Sequence, residues 1–394
     1  MSSSPECRVE DNLIIVPKGL QNVVVDETKI SGVDPKGEHT IYRGYTIDDI
    51  GRNASFYEAA HLFLKGFLPC DEELKELRDS IDKWRGKTPT KVLEALKLVP
   101  RSHPMYYGIY GVSLLGQYYA GEWSTDRDTA YDHGLRIIAQ LPVIFAAGWN
   151  LAVNGTYEQP DSSRDHASDS LRMITLREPS DIEARAFEST LVLYMDHGFN
   201  ASTFTVRVIA STLSDIYSAV AGGIAALKGP LHGGANEKAI EMMLEIRRLA
   251  EEEGSSLEEA TEKYILGKLS RKEKIMGFGH RVYKLHDPRT DVAEAFIRQL
   301  PEGETWLRLI KKAEEVMWRE KKIPANIDLY TGVLYYQLGI PIPMYTPIFA
   351  IGRVVGWVAH YIEQVENNKL VRPTEKYSGP VGLKYEPLEV RCRR

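Results

Sequence analysis

The chain has 394 residues, long enough for two or three ordinary domains or for one large domain carrying a smaller insert. Hydrophobic residues make up 43% and charged residues 26%, as in a soluble globular protein, and 49 basic against 55 acidic side chains leave a net charge of −6, which argues against a nucleic-acid or anionic-membrane partner. The most apolar stretch, Leu141 to Val153, falls short of the roughly 20 residues a bilayer span needs and is interrupted by Asn150. At the N-terminus Glu6, Arg8, Glu10 and Asp11 scatter charge where a secretory signal would place an apolar run, so a cytoplasmic protein is expected.

Residues 12–48 hold short apolar and β-branched runs, Leu13-Ile14-Ile15-Val16, Val23-Val24-Val25 and Thr40-Ile41-Tyr42, separated by Gly, Asp-Pro and Lys-Gly turns. They predict a small β-meander. From Ile47 the spacing becomes helical: Leu62, Leu64, Leu74 and Leu77 begin a series of amphipathic segments that runs nearly to Asn367. The expected fold class is all-α with a short N-terminal β-meander. Ser256 with Glu259, and Asp291 with Glu294, each match a capping box that opens an apolar-periodic run. Gly222-Gly223 follows helix-like rather than strand-like sequence, which argues against a phosphate-cradling loop.

The three cysteines are too widely spaced for a zinc site. Cys70 reads as a buried small hydrophobe. Cys7 and Cys392 stand almost at the two ends, and chain termini often lie close together. They are either two unpaired tail thiols or a disulfide that closes the chain into a ring. The second alternative suits a hyperthermophile cytoplasm, where intracellular disulfides persist and closure of a long loop stabilises by restricting the unfolded chain.

Four polar clusters interrupt otherwise apolar sequence. The first is Asp196-His197-Gly198-Phe199-Asn200-Ala201-Ser202-Thr203; taken alone, a histidine there is more often a core or capping residue than a ligand. The second, Gly229-Pro230-Leu231-His232-Gly233-Gly234-Ala235-Asn236, flanks a histidine with glycines, which suits either backbone approach to a ligand or a plain turn. In the third, Gly277-Phe278-Gly279-His280-Arg281-Val282-Tyr283-Lys284 and then Asp287-Pro288-Arg289, a histidine again follows glycines, with Arg271, Lys272 and Lys274 just before it. That basic run suits an anion site or a solvated face. The fourth, Asn326-Ile327-Asp328-Leu329-Tyr330, sets an acid among apolar residues, where burial would raise its pKa and make it a better base.

Together these strings resemble the citrate synthase family, in an order running from Tyr42-Arg43-Gly44 through His103-Pro104-Met105 to Tyr377-Ser378-Gly379-Pro380. The most specific are Gly229 to Asn236, Gly277 to Arg289, Asn326 to Gly332 and Gly352-Arg353-Val354-Val355-Gly356-Trp357-Val358-Ala359-His360. The resemblance covers most of the chain, and its length and β-rich start are similar to the compact archaeal and bacterial members. One departure is Gly198, which stands beside His197 where many members carry Glu.

The resemblance implies a large helical domain built from residues 1–222 and 331–394, a small domain at 223–330, and a homodimer whose C-terminal arm reaches the partner subunit. It implies a Claisen-type condensation of acetyl-CoA with oxaloacetate and hydrolysis of citryl-CoA, with Asp328 as the base, His232 stabilising the enol and His280 donating to the ketone of oxaloacetate. Planar guanidinium groups grip carboxylates, and the family pattern assigns Arg289, Arg353 and Arg372 to oxaloacetate, with His197; Arg372 serves the partner's site. Lys274 and the backbone of Ile275, Met276, Gly277, Phe278 and Gly279 are implied contacts of CoA. No permanently bound cofactor and no metal is implied, and His286 and Asp287 read as a turn presenting Arg289 rather than as metal ligands. With arms exchanged, a Cys7 to Cys392 bond would thread each closed chain through the other. Two alternatives stand beside this: a 2-methylcitrate synthase using propionyl-CoA, since one methylene changes selectivity by only about 1–3 kcal/mol, and a non-catalytic helical dimer, against which the intact His232, His280 and Asp328 argue.

Overall fold

In the computed structural model, which describes residues 8–10, 13–20, 22–34, 39–280 and 282–391, five short strands precede the helices. β1 (Arg8–Glu10) and β2 (Leu13–Ile15) form an antiparallel hairpin. β3 (Ser31–Val33), β4 (Thr40–Tyr42) and β5 (Tyr45–Thr46) form an antiparallel meander in which Tyr42 sits opposite both Ser31 and Tyr45. Val23-Val24-Val25, expected as a strand, joins no ladder among the described residues, and Val24 is 86% exposed. β-branched composition favours an extended backbone, but a strand is held only by a partner that satisfies its polar groups.

The rest is helical, as expected, from Ile47 to Glu366. α1 (Ile47–Asn53), α2 (Phe56–Lys65), α3 (Asp71–Gly86), α4 (Thr90–Leu96), α5 (Met105–Tyr119), α6 (Arg127–Asn154), α7 (His166–Thr175) and α8 (Asp181–Tyr194) lead to the first polar cluster. α9 (Ala201–Ser211) and α10 (Ile216–Leu227), which contains Gly222-Gly223, lead to the second, and α11 (Ala235–Glu253) and α12 (Leu257–Ser270) to the third. α13 (Arg289–Ile297) and α14 (Gly303–Lys321) lead to the fourth, which opens α15 (Ile327–Gln337); α16 (Tyr345–Glu366) and α17 (Leu388–Arg391) follow.

The capping box at α12 forms: Ser256 Oγ accepts from the Glu259 N–H at 3.2 Å while Glu259 Oε2 accepts from the Ser256 N–H at 3.0 Å. The one expected at Asp291 does not. α13 starts three residues earlier, with Pro288 at its N-cap, because Asp287-Pro288 already makes the turn: Asp287 Oδ1 accepts from the Arg289 N–H at 3.2 Å and Pro288 supplies a helix-compatible φ of −63°. Asp291 lies within that helix and pairs with His286 instead. Cys70 is also corrected: it is exposed, standing after Pro69 at the N-cap of α3, where its N–H donates to Glu73 Oε2 at 2.9 Å. Cys7 and Cys392 lie outside the described residues.

α16 is buried along almost its whole length, with α6, α8, α9 and α10 packed around it. Gly352 and Gly356, four residues apart on one face, let it reach backbone contact with the end of α8: a Cβ at Gly352 would come within 2.7 Å of the Leu191 carbonyl oxygen, and one at Gly356 would collide with that of Met195. This close crossing brings Arg353 against the segment that follows α8. α6 and the stretch Ile342–Glu366 are long and apolar enough to cross a bilayer, yet 78% and 89% of their most apolar windows are buried inside the protein, so their apolarity serves the core.

Candidate active site

The chain leaves α8 at Tyr194 and turns through Met195 to Phe199 before Asn200 caps α9, its Oδ1 accepting from the Ser202 and Thr203 N–H groups at 3.1 Å each. Asp196 anchors this turn. Its buried carboxylate accepts from Ser31 Oγ and from His360 Nε2 at 3.0 Å, and its carbonyl accepts from the Tyr42 hydroxyl at 2.9 Å. Burial alone would raise the Asp196 pKa, but His360, Arg353 and the Ser31 hydroxyl together hold it well below the usual carboxylate range. The anchored turn aims His197 inward, its ring centroid 4.9 Å from that of His280. Burial, then the charges of Arg289 and Arg353, push the His197 pKa far down, so its imidazole is neutral.

His232 lies in the turn between α10 and α11. Its Nε2 is 2.9 Å from Ser202 Oγ, which also receives the indole N–H of Trp357 at 3.3 Å, and its ring meets Phe349 edge-on at 6.3 Å. Burial first, and Arg353 second, lower its pKa to about 4.

The third and fourth clusters are laced together. Gly277 has φ of +79°, a left-handed conformation that suits glycine, and its carbonyl accepts from the Asn326 N–H at 2.9 Å. The Gly279 N–H donates to the Pro324 carbonyl at 2.9 Å, and Asn326 Nδ2 donates to the Gly279 carbonyl at 2.9 Å. Asn326 also caps α15, accepting from the Asp328 N–H at 3.1 Å, so one residue registers the 275–279 segment against the start of the helix that carries Asp328. His280 Nδ1 accepts from the Val282 and Tyr283 N–H groups at 3.1 and 3.3 Å, which leaves the ring proton on Nε2. Burial and Arg289 lower its pKa to about 4, so His280 is a neutral donor.

Two buried arginines complete the cluster. Arg289 gives Nε and one terminal nitrogen to Asp287 at 2.9 and 2.8 Å, and Asp287 Oδ2 also accepts from the Ile327 N–H at 3.1 Å. The same terminal nitrogen of Arg289 stands 3.5 Å from His280 Nε2. Arg353 Nε donates to the Tyr194 carbonyl at 2.7 Å, its guanidinium lies over the Phe349 ring at 4.7 Å, and one of its buried terminal nitrogens has no hydrogen-bond partner among the described residues. A buried guanidinium with an unpartnered N–H is suited to a carboxylate. Asp328 is half-buried, and the desolvation it undergoes raises its pKa against the opposing charge of Arg289 and a hydrogen bond from Tyr194. The site thus combines a strengthened carboxylate base, neutral imidazoles and two buried cations in a partly desolvated setting, a combination suited to abstracting a weakly acidic proton and stabilising the resulting negative charge.

Of the residues singled out from sequence, His197, His232, His280, Arg289, Asp328 and Arg353 come together. Ile275 and Gly277 are buried beside them, Met276, Phe278 and Gly279 are half-buried, and Lys274 is exposed. Arg372 is exposed in the extended segment after α16, and no hydrogen bond or ion pair among the described residues ties it to the cluster. Asp287 proves to hold Arg289, as the turn reading expects, while His286 is exposed. Tyr194 escaped sequence reasoning: it ends an apolar run and carries no local signal of a site.

Comparison with known proteins identifies the family. The family model described as citrate synthase, C-terminal domain, matches residues 19–374. The chain is 39% identical to citrate synthase 2 of Bacillus subtilis, covering 95% of this chain and 99% of that protein. It is 37% identical to 2-methylcitrate synthase 1 of Corynebacterium glutamicum, over 95% and 98%. Among solved structures it is similar to citrate synthase of Pyrobaculum aerophilum (TM-score 0.87, 33% identity, 99% and 98% covered). It is also similar to the Thermoplasma acidophilum enzyme in ternary complex with carboxymethyl coenzyme A and oxaloacetate (TM-score 0.85, 33% identity, 95% and 99% covered).

Proposed function

The chain belongs to the citrate synthase family, and from that premise we propose that it condenses acetyl-CoA with oxaloacetate and hydrolyses the citryl-CoA formed to citrate and free CoA. The observation that carries this reading is the convergence of His197, His232, His280, Arg289, Asp328 and Arg353, from distant stretches of sequence, on one cluster in which both arginines are buried and the other four side chains half-buried.

In this reading Asp328, its basicity raised by burial, takes a proton from the methyl group of the thioester, while His232 hydrogen-bonds the oxygen of the resulting enol or enolate. His280 Nε2–H donates to the ketone oxygen of oxaloacetate, and the enol carbon attacks the polarised carbonyl carbon. Arg289, Arg353 and His197 hold the oxaloacetate carboxylates; the unpartnered N–H of Arg353 and its charge on His197 and Asp328 support that role. Arg372 serves the partner's site. The 275–279 backbone, pinned to residues 324–326, and the exposed Lys274 receive CoA. This chemistry needs neither a permanently bound cofactor nor a metal, because positioned donors and orientation carry the barrier reduction.

The same proposal takes residues 223–330 as a small domain closing on a large one made from 1–222 and 331–394, which excludes water before enolisation. It also takes the cytoplasm as the enzyme's setting and a homodimer with exchanged arms as its assembly. Leu370, Tyr377, Val381, Leu383 and Tyr385 are all more than half exposed on the segment after α16, and apolar side chains in such a row are suited to burial against a partner. Relatives that are 2-methylcitrate synthases, at 36–37% identity, favour a second reading with propionyl-CoA.

Oxaloacetate-dependent release of CoA thiol, with acetyl-CoA and propionyl-CoA at matched concentrations, tests the proposal. Preference for acetyl-CoA supports it; preference for propionyl-CoA transfers the same mechanism to 2-methylcitrate synthesis. No release with either thioester overturns both in favour of a non-catalytic helical dimer.

A further inference from the structure

Tyr194 touches the acid and the arginine that the reaction uses, yet neither the sequence clusters nor the proposed roles include it. It is the last residue of α8 and is fully buried. Its hydroxyl stands 3.0 Å from Asp328 Oδ1 and 2.7 Å from Thr331 Oγ1, its ring packs on Phe349 at 4.3 Å, and its carbonyl receives Arg353 Nε at 2.7 Å. Thr331 lies one turn along α15 from Ile327, whose carbonyl is 3.0 Å from the Thr331 hydroxyl.

A phenol carries one proton and can also accept one, so the three groups form a chain with two possible directions. With Asp328 ionised, Thr331 donates to Tyr194 and Tyr194 donates to the carboxylate. Once Asp328 has taken the substrate proton, its new O–H donates to the Tyr194 oxygen, Tyr194 donates to Thr331, and Thr331 donates to the Ile327 carbonyl. No proton leaves the chain in either state and each hydroxyl keeps a partner. The carboxylate oxygen is held in one place before and after proton abstraction, in surroundings where an unpartnered polar group is costly.

We propose that Tyr194, backed by Thr331, is the positioning residue for Asp328, holding it in both protonation states and registering it to Arg353 through its own carbonyl. The proposal rests on the reading of Asp328 as the base. The other groups that act on Asp328 are Arg289 and Asp287 from the start of α13, Arg353 from α16 and Tyr335 on α15 itself. From α11, Glu237 binds Thr346, and from α14, Lys311 and Glu314 bind the Tyr330 hydroxyl. Among the described residues, Tyr194 is thus the hydroxyl that hydrogen-bonds this end of the acid, with Thr331 behind it.

The test compares Tyr194→Phe, Thr331→Val and Asp328→Asn in thiol-release kinetics across pH, with thermal midpoints recorded alongside. Loss of a hydrogen bond to a charged group predicts a kcat about 10- to 100-fold lower in Tyr194→Phe. The oxaloacetate KM should stay within about 2-fold, because Phe keeps the backbone carbonyl that holds Arg353. Losing the donor also removes an interaction that favours the ionised carboxylate, so the acidic limb of the rate profile should move about one pH unit upward. Thr331→Val should move both quantities the same way by a smaller factor. Wild-type kcat and an unmoved acidic limb in Tyr194→Phe overturn the proposal, as does an unmoved limb in Thr331→Val should the Phe variant fail to fold. Substantial turnover in Asp328→Asn sinks the base assignment itself; an inactive Asp328→Asn beside a wild-type-like Tyr194→Phe sinks only the role of Tyr194.

Discussion

Replacing Arg289 by Met separates what the arginine does for the fold from what it does for substrate. In the native protein Arg289 and Asp287 are both buried, joined by two side-chain hydrogen bonds of 2.9 and 2.8 Å. Arg289→Met leaves the Asp287 carboxylate with only the Arg289-position and Ile327 backbone N–H groups, at 3.2 and 3.1 Å. Stranding one member of a buried ion pair costs about 3–5 kcal/mol. An unfolding entropy of about 2.1 cal/mol/K per residue over 394 residues comes to about 0.8 kcal/mol/K, so the thermal midpoint should fall by about 4–6 °C. Adding Asp287→Asn removes the stranded charge and should restore more than half of that loss. Calorimetry on the two single variants and the double supplies the cycle, and thiol release at varied oxaloacetate supplies the function. The oxaloacetate KM should stay high in the double variant, because the guanidinium is still absent. Strictly additive destabilisation in the double variant would refute the pairing, and recovery of the KM along with stability would refute the substrate role.

Asp328→Asn should lower kcat by about 10²–10⁴-fold, the range of a lost general base, with folding intact. In the wild-type enzyme the base must be ionised and burial raises its pKa, so kcat/KM should fall on the acid side with a limb above the ordinary value of about 4; a limb at or below that value would contradict the burial argument. The folded-state pKa values of His232 and His280 are depressed to about 4, and that of His197 lies well below the ordinary value. Their contribution to stability is therefore present above the unfolded value of about 6.5 and lost as pH falls toward 4, because the unfolded chain binds the protons first. Thermal midpoints should decline between pH 6.5 and 5 in wild type and less steeply in His280→Gln; equal slopes would speak against a neutral His280. Gly277→Ala forces a Cβ to 2.8 Å from Leu329 Cβ at a φ of +79°, so it should cost about 1–3 kcal/mol of stability. It should also weaken CoA binding more than oxaloacetate binding, measured as separate KM values.

What was legible in the sequence was local. The helical period from Ile47, the Ser256 cap and the glycine-flanked histidines report backbone requirements that neighbouring residues impose, so they survive being read without a structure. Local signals mislead where a stronger local signal lies close by, as when Asp287-Pro288 starts α13 before Asp291 can cap it, or where a partner is needed, as at Val23 to Val25. Cys70 fails for a related reason: cysteine is buried on average, but the turn after Pro69 places this one at an exposed helix start. The contacts that set the electrostatics of the site are of another kind. Tyr194 reaches Asp328 across 134 residues of sequence, where the end of α8 meets α15, and His360 reaches Asp196 across 164, where two glycines on α16 let it press against the end of α8. No periodicity along the chain encodes which side chains such a crossing brings together. The family pattern carries the residues that meet substrate, whereas the residues that hold them in place become visible only when the helices are packed.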